Sequence, residues 1–206
     1  MKGCFITFEG ADGCGKTTQQ GLIADYLSSK GYKTLATREP GGAELGNELR
    51  KILLHYDGFV APQCEAFLFL ADRAQHVETV MKPAVEDNII VLCDRYTDST
   101  VAYQGYGKGI DIKQINYLNK LATSDFIPDL TLVFDVDSEI AQQRVGSEKD
   151  RMEAEDMTFH KKVREGYLEL AKQEPERIKK INANKSIDEV FEETKAVIEL
   201  FLSSRK

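Results

Sequence analysis

Short apolar runs alternate with longer stretches of helical periodicity along most of the chain. Runs rich in apolar and β-favouring residues lie at 4–8, 34–37, 89–93, 130–134 and 178–183. Between them apolar residues recur every three or four positions, which is typical of amphipathic helices. These helices are predicted at 18–30, 44–55, 63–86, 111–124, 138–145, 157–173 and across 187–201. The alternation predicts an α/β fold, a doubly wound sheet of five parallel strands flanked by helices.

The helix predicted at 63–86 has an aromatic residue on its polar face. Its apolar face is predicted to pack in the core and comprises Phe67, Leu70, Ala71, Ala74, Val77 and Met81. A spacing of about 100° per residue places Phe69 on the opposite side, beside Arg73 and His76. Phe69 is therefore either a contact to a partner helix or second subunit, or a platform for a stacked base with Arg73 at the base edge. His76 is predicted to be a surface residue.

The first strand runs into a glycine-rich phosphate-binding sequence that fits GxxxxGK[ST]. It comprises Gly10, Ala11, Asp12, Gly13, Cys14, Gly15, Lys16 and Thr17. A strand before it and a helix after it are the setting in which this motif holds a nucleoside triphosphate. Its backbone amides and the helix N-terminus face the phosphates, Lys16 adds a positive charge, and the Thr17 hydroxyl is a ligand for Mg²⁺. The sequence thus predicts a P-loop NTPase fold that binds ATP in this loop.

A second group of polar residues follows the strand at 89–93. Asp94 ends that strand and is predicted to bind Mg²⁺ together with Thr17, as an aspartate does in other P-loop enzymes. Arg95 comes next and faces the same cleft, and Ser99, Tyr103 and Gln104 follow within two turns. Asp135 and Asp137 are a weaker alternative for the metal, and a helix cap for 138–145 is the favoured interpretation there.

Charge and composition narrow the range of partners. The 206 residues carry a net charge of −7, so the overall field repels nucleic acid and anionic membrane. No apolar run reaches the roughly 18 residues that a membrane span needs. The four cysteines lack metal-binding spacing, which favours reduced thiols and a cytoplasmic protein. The length is compatible with a single domain over 1–206.

Three classes of P-loop protein remain to be compared: a small-molecule kinase, a GTPase switch and an ATPase module. A guanine-reading Asn-Lys-x-Asp sequence is not matched, since after Asn184 and Lys185 the aspartate comes one residue late, at Asp188. An ATPase of the transport type would need a signature stretch that this chain lacks. A kinase needs arginines for an acceptor phosphate, and these are available at Arg38, Arg50, Arg73, Arg95 and Arg151.

Taken together, these motifs resemble the bacterial thymidylate kinases over essentially the whole chain. The matching residues are Phe8-Glu9-Gly10 running into the loop, 38–42 (Arg-Glu-Pro-Gly-Gly), the spacing of Phe69 and Arg73, Asp94-Arg95-Tyr96 with Ser99, Tyr103-Gln104-Gly105, and Asp150-Arg151. The resemblance implies transfer of the γ-phosphoryl group of ATP to dTMP with Mg²⁺, in a homodimer. It also implies Arg95 and Arg38 at the dTMP phosphate, Phe69 on thymine, Arg73 at the base edge and Asp12 near the 3′-hydroxyl.

The polar segment 146–156 is predicted to be a lid that carries a catalytic arginine. The phosphate loop contains no arginine, so a cation for the transition state must come from elsewhere. Arg151 is assigned this role, and Arg144 is the alternative. The predicted catalytic residues are therefore Lys16, Asp12, Arg95 and Arg151. Cys14 lies at a helix N-terminus, which predicts a lowered thiol pKa and sensitivity to oxidation.

Overall fold

The computed structural model describes residues 2–146 and 149–205. The strands are β1 (Cys4–Glu9), β2 (Thr34–Arg38), β3 (Ile90–Asp94), β4 (Leu130–Asp135) and β5 (Ile178–Asn182). The α-helices are α1 (Lys16–Ser29), α2 (Glu44–His55), α3 (Pro62–His76), α4 (Lys82–Glu86), α5 (Thr97–Thr100), α6 (Ile112–Thr123), α7 (Ser138–Arg144), α8 (Met157–Gln173) and α9 (Ile187–Ser203). No helix in this part of the chain is long and apolar enough to cross a membrane.

All five strands form one parallel sheet in the order β2-β3-β1-β4-β5. The side chains of β1 alternate between two cores. Ile6 and Phe8 pack with α1 and α9 on one face, whereas Phe5 packs with the π-helical turn after α3 on the other. Burial on both faces explains why the strands are almost wholly apolar. The predicted doubly wound α/β fold is confirmed, and the carboxyl ends of all strands meet at one edge, where ligands bind in such sheets.

The region predicted as one helix over 63–86 is three consecutive helical segments. After α3 the chain makes a π-helical turn, Val77–Met81, and continues into α4. The predicted orientation of α3 was wrong at three positions. Phe67 and Ala71, expected in the core, are exposed, Phe67 by 56%, and His76, expected at the surface, is completely buried. Helical periodicity could not show that the buried side of α3 also carries the polar residues Glu65, Asp72, Arg73 and His76.

Helices α1 and α7, next to the sheet edge, both begin without a side-chain capping bond. Gly15 precedes α1 in a left-handed conformation with φ 91° and offers no side chain, so the first amides of α1 have no side-chain cap. These amides are therefore available to an anion. Asp137 does stand at the N-cap position of α7, but its side chain makes no capping bond and instead pairs with Arg164 at 2.7 Å. The favoured cap interpretation of Asp137 is correct in position only.

Candidate functional site

The largest set of predicted site residues surrounds one cleft at the carboxyl edge of the sheet, beside the phosphate loop. Its walls are formed by Asp12, Glu39, Pro40, Arg50, Leu54, Phe69, Arg73, Arg95, Ser99, Thr100, Tyr103, Gln104, Asp150 and Met152. We call it the acceptor pocket. A second cleft lies on the other side of the loop, between α1 and the start of α9, and includes Gly13, Gly15, Thr18, Arg144 and Ser186. The loop thus separates two recesses, as a two-substrate reaction requires.

The phosphate loop is held in an open turn by Lys16 and its glycines. The Lys16 ammonium group donates to the carbonyl oxygens of Gly10 at 3.1 Å and Ala11 at 2.9 Å, and it is almost fully buried. Gly13 adopts φ 78°, and a Cβ there would lie 2.2 Å from the carbonyl oxygen of Ala141 in α7. Only glycine is compatible with both conditions. The loop therefore keeps its backbone exposed to a phosphate and its lysine within the turn.

The two predicted magnesium ligands are in direct contact. The hydroxyl group of Thr17 donates to the carboxylate of Asp94 at 2.6 Å, which joins the start of α1 to the end of β3. A hydroxyl and a carboxylate are hard oxygen ligands of the kind that Mg²⁺ prefers. Within residues 2–146 and 149–205 no group of three or more His, Cys, Asp or Glu side chains is placed to hold a metal. A metal at Thr17 and Asp94 would therefore need oxygens from water or substrate as well.

Asp12, Arg95 and Tyr103 form a charged triad at the inner end of the acceptor pocket. One oxygen of Asp12 accepts from the Arg95 guanidinium at 2.5 Å, and the other accepts from the Tyr103 hydroxyl at 2.7 Å. Burial by itself would raise the pKa of Asp12, but Arg95 and Lys16 outweigh it and lower the pKa to about 2. Asp12 is therefore ionised throughout the neutral range, and it holds Arg95 rather than acting as a proton acceptor.

The guanidinium group of Arg95 is fixed on its other side as well. One nitrogen donates to Ser99 Oγ at 3.1 Å, to the Tyr167 hydroxyl at 3.2 Å and to the Gly10 carbonyl at 3.1 Å. The Arg95 backbone is left-handed, with φ 72°, which is uncommon for a side chain of this size. This turn directs the side chain from the end of β3 back across the phosphate loop.

Phe69 and Arg73 lie at the other end of the acceptor pocket. Phe69 is partly buried and contributes to the pocket wall. Arg73 is completely buried and donates to Glu39 at 2.8 Å, to Thr100 at 2.7 Å and to Asn119 at 2.8 Å, with a further bond to the Tyr96 carbonyl. With so many donors used, the orientation of Arg73 is set by the protein before any ligand arrives.

The protein holds three further predicted ligands, Gln104, Arg50 and Arg38, in different ways. Gln104 is buried and donates to Glu65 at 2.9 Å. Arg50 donates to the Pro40 carbonyl at 2.8 Å, and burial and then the charge of nearby Arg38 lower its pKa. Arg38 is exposed and does not line the pocket, and its side chain makes no hydrogen bond to any described residue. Arg50 in the pocket wall and Arg38 near it are two cations, and the donors of the Arg38 side chain are available to an anionic ligand.

The predicted lid lies over the acceptor pocket in its described part, because Asp150 and Met152 belong to the pocket wall. Residues 147 and 148 lie outside the described ranges. Arg151 donates to Glu65 in α3 at 2.6 Å and to the Leu53 carbonyl in α2 at 3.0 Å. Arg144, at the end of α7, instead donates to the Ala183 carbonyl at 3.0 Å beside the second cleft. In this arrangement Arg151 belongs to the acceptor side of the site.

The predicted reactivity of Cys14 is wrong in its physical basis. The Cys14 side chain is buried in the core between β1 and α1, and burial raises its pKa despite the charge of Lys16. The helix N-terminus does not compensate for the lost hydration. All four cysteines are free, as predicted, and Cys64 is the one that is exposed.

Sequence reasoning missed the carboxylates and the tyrosine that hold the predicted ligands in place. Glu9 and Tyr167 support Ser99 and Arg95, Glu39 supports Arg73, and Glu65 supports Gln104 and Arg151. Glu9 and Glu39 were visible as the acidic residues beside Gly10 and Arg38. Glu65 and Tyr167 carried no local signal, because they lie on helices whose partners come from distant parts of the chain.

The parallel sheet, the loop with Lys16 and a second pocket lined by arginines define a P-loop kinase that acts on a small phosphorylated acceptor. The chain belongs to the thymidylate kinase family, whose model matches residues 8–194. It is 49% identical over 197 residues to a thymidylate kinase of Geotalea daltonii, covering 91% of this chain and 92% of that one. A thymidylate kinase of Shouchella clausii is 45% identical and covers 100% of this chain and 99% of its own.

The crystal structure of a thymidylate kinase from Ehrlichia chaffeensis has the same fold. It superposes with a TM-score of 0.80 at 38% identity, covering 96% of this chain and 99% of the other. The span of the family model, residues 8–194, contains every residue that lines the two clefts.

Proposed function

We propose that the acceptor pocket binds dTMP and that the loop 10–17 binds ATP, for the reaction of this family: transfer of the γ-phosphoryl group of ATP to dTMP, which gives dTDP. The observation that carries the proposal is the contact between the two recesses. Asp12 belongs to the phosphate loop and also to the acceptor pocket, where it holds Arg95. The donor and acceptor phosphates would therefore meet beside Arg95, the cation that Asp12 holds.

The acceptor phosphate is proposed to bind Arg95, with Arg38 and Arg50 at the rim. A bidentate guanidinium matches phosphate oxygens and reduces the repulsion between two anionic substrates. Thymine is proposed to stack on Phe69, with Arg73 and Gln104 at its edge and Ser99 and Tyr103 around the sugar and phosphate. Asp12 is proposed to lie near the 3′-hydroxyl. No proton acceptor is required, because the attacking oxygen belongs to an ionised phosphate.

Mg²⁺ is proposed to bind at Thr17 and Asp94. The fit rests on the hydroxyl-carboxylate contact at 2.6 Å next to the lysine of the loop. When bound, the ion would neutralise charge on the β- and γ-phosphates. Lys16 would hold the same oxygens by its ammonium group, and the first amides of α1 would face them.

The proposal is tested by measuring ATP consumption with dTMP, dUMP, dCMP, AMP and thymidine in turn. We expect dTMP to give the highest kcat/KM, with thymidine inactive because it lacks the acceptor phosphate. Phosphorylation of thymidine at a rate comparable to dTMP would contradict the assignment of Arg95. Equal rates with dCMP would contradict the assignment of the base edge.

We also propose that the protein acts as a homodimer. Apolar side chains are exposed on three neighbouring helices: Leu45 and Ile52 on α2, Phe67 on α3, and Tyr117 and Leu121 on α6. Helix α3 packs between the other two. A surface of this kind favours burial against a second protein surface.

We further propose that residues 1–206 form a single functional domain with its lid at 146–156, and that the protein is located in the cytoplasm. Binding to nucleic acid or to a membrane is not expected.

A further inference from the structure

Glu9 is a buried carboxylate that accepts hydrogen bonds from three donors. It is the last residue of β1 and has no exposed surface. One oxygen accepts from the Tyr96 amide at 2.7 Å. The other accepts from the Ser99 hydroxyl at 2.6 Å and the Tyr167 hydroxyl at 3.1 Å. Because a buried carboxylate is costly without partners, this arrangement fixes all three groups as firmly as it fixes Glu9.

Each of those three groups also determines where Arg95 lies. Ser99 Oγ and the Tyr167 hydroxyl both accept from the Arg95 guanidinium, and they contact each other at 2.7 Å. Tyr96 follows Arg95 in the chain. The hydrogen bond from the Tyr96 backbone N–H to Glu9 therefore stabilises the left-handed turn at Arg95. Glu9 therefore restrains Arg95 through its backbone and through its side chain.

We propose that Glu9 positions Arg95 for the phosphate of dTMP. The proposal rests on the role given to Arg95 above. Glu9 does not line the acceptor pocket and makes no hydrogen bond to Arg95, so it acts through Ser99, Tyr167 and the Tyr96 amide. It is a positioning residue, and its loss should affect dTMP binding much more than the maximal rate.

The ionisation of Glu9 gives this role a pH dependence. Burial, and then the charge of Asp98 in α5, raise the pKa of Glu9 to about 7, although Arg95 opposes the shift. Arg73 in α3, the Cys93 thiol in β3 and the Tyr167 hydroxyl in α8 also interact with it electrostatically. A protonated Glu9 must donate to one of the hydroxyl groups that it otherwise accepts from. One lone pair of that hydroxyl oxygen then accepts the proton of Glu9 and is no longer available to the Arg95 guanidinium. The restraint on Arg95 therefore weakens.

The test compares the KM for dTMP of wild type and Glu9→Gln across pH 6 to 8. The glutamine imitates the protonated carboxyl group. At pH 8 we expect KM for dTMP to rise about tenfold, while kcat and the KM for ATP change less than threefold. At pH 6 the wild type itself is protonated, so the ratio of the two KM values should fall to about two. The dTMP phosphate also titrates in this range, with a pKa of about 6, but this changes KM equally for both proteins and cancels in their ratio.

Two further variants keep the test decisive. Tyr167→Phe retains the ring and removes one hydroxyl bridge, so it should raise KM for dTMP in the same direction by a few-fold even if Glu9→Gln folds poorly. Arg95→Ala tests the proposed function on its own. If Arg95→Ala weakens dTMP binding but Glu9→Gln and Tyr167→Phe leave KM unchanged at pH 8, the positioning role is wrong. If Arg95→Ala has no effect on dTMP, the assignment of Arg95 itself fails.

Discussion

Individual residues in the acceptor pocket have clearly separable roles, and α3 provides the best comparison. Phe69 lines the pocket, whereas Phe67, two positions earlier, is 56% exposed on the other side of the helix. Both are phenylalanines in the same helix, so their substitution has similar effects on helix propensity. A difference in dTMP affinity between the two variants therefore measures the contribution of Phe69 to the pocket.

We expect Phe69→Ala to weaken dTMP binding by about 1–3 kcal/mol, the usual contribution of a base stacked on an aromatic ring. ATP affinity should be unchanged, because the second cleft lies across the phosphate loop. Calorimetric titration with each nucleotide measures both. Phe67→Ala is the matched control and should leave dTMP affinity intact, and light scattering checks that both variants keep the oligomeric state of wild type. An equal loss of affinity in the two variants would mean that Phe69 does not contact the base.

The cysteines differ in exposure, which predicts their order of reaction. Cys64 is exposed, whereas Cys4, Cys14 and Cys93 are buried, and burial raises the pKa of all three. A thiol reagent should therefore modify one thiol rapidly in the native protein, with activity retained. Cys64→Ala should remove that fast phase. The reagent could instead inactivate the protein rapidly, with saturating ATP or Cys14→Ala preventing the inactivation. That result would support the sequence-based prediction that Cys14 is reactive.

Two connections between elements matter for the acceptor pocket. The lid is tied to α2 and α3 through Arg151, and the loop after β2 is tied to α3 through Asp72, which accepts from the Gly41 amide at 2.9 Å. Each connection joins two of the elements whose residues line the acceptor pocket.

For the lid, we expect Arg151→Ala to lower kcat by roughly 10³-fold, as for an arginine that acts mainly on the transferring phosphoryl group. Because Arg151 also pairs with buried Glu65, which holds Gln104, dTMP affinity should fall as well, but by much less than kcat. Steady-state kinetics and dTMP titration measure this. Lys149→Ala is the control, because that exposed cation in the same segment bonds only to Gln142 among the described residues. A kcat for Arg151→Ala within about tenfold of wild type would shift the role to Arg144 or show that no lid arginine is needed.

Asp72 predicts a measurable dependence of stability on pH. It is completely buried, and burial and then Glu39 raise its pKa from 3.8 to about 6. The folded state therefore binds this proton more tightly than the unfolded state, so its contribution is present at pH 4 and is lost as the pH rises through 6. Asp72→Asn lacks this titration. The free energy of unfolding of the variant minus that of wild type should increase by up to about 3 kcal/mol between pH 4 and 8.

Urea unfolding of both proteins at pH 4, 6 and 8 gives that difference, and titration of all other groups cancels in it. A difference that stays constant across the three pH values would show that Asp72 is not protonated in the folded state. Asparagine keeps an oxygen for the Gly41 amide, so the loop connection itself is retained.

At the level of the whole molecule, the proposed homodimer depends on the exposed apolar residues of α2, α3 and α6. If they bury against a second copy, Ile52→Asp should convert a dimer into a monomer, which light scattering after size-exclusion chromatography measures. Leu200→Asp is the control, since Leu200 is 73% exposed on α9, outside those three helices. A wild-type protein that is monomeric at micromolar concentration would contradict the dimer.

The fold and the phosphate loop were predictable because their signals are local. A parallel strand buried on both faces must be apolar, an amphipathic helix must repeat every three to four residues, and the loop needs its glycines and lysine in consecutive positions. The bounds of α2 and α8 were predicted to the residue for the same reason. The resemblance to thymidylate kinases also depended on such local motifs and was confirmed.

Only the tertiary structure decided which groups contact each other across the chain. Glu9 and Tyr167 are 158 residues apart, and Arg73 and Asn119 are 46 apart, so no periodicity in the sequence relates them. The burial of His76, the raised pKa of Cys14 and the bond from Arg151 to Glu65 have the same origin. In each case a neighbouring element supplies the partner or removes the water, and the free energy of a polar side chain depends on that environment rather than on its position in the sequence.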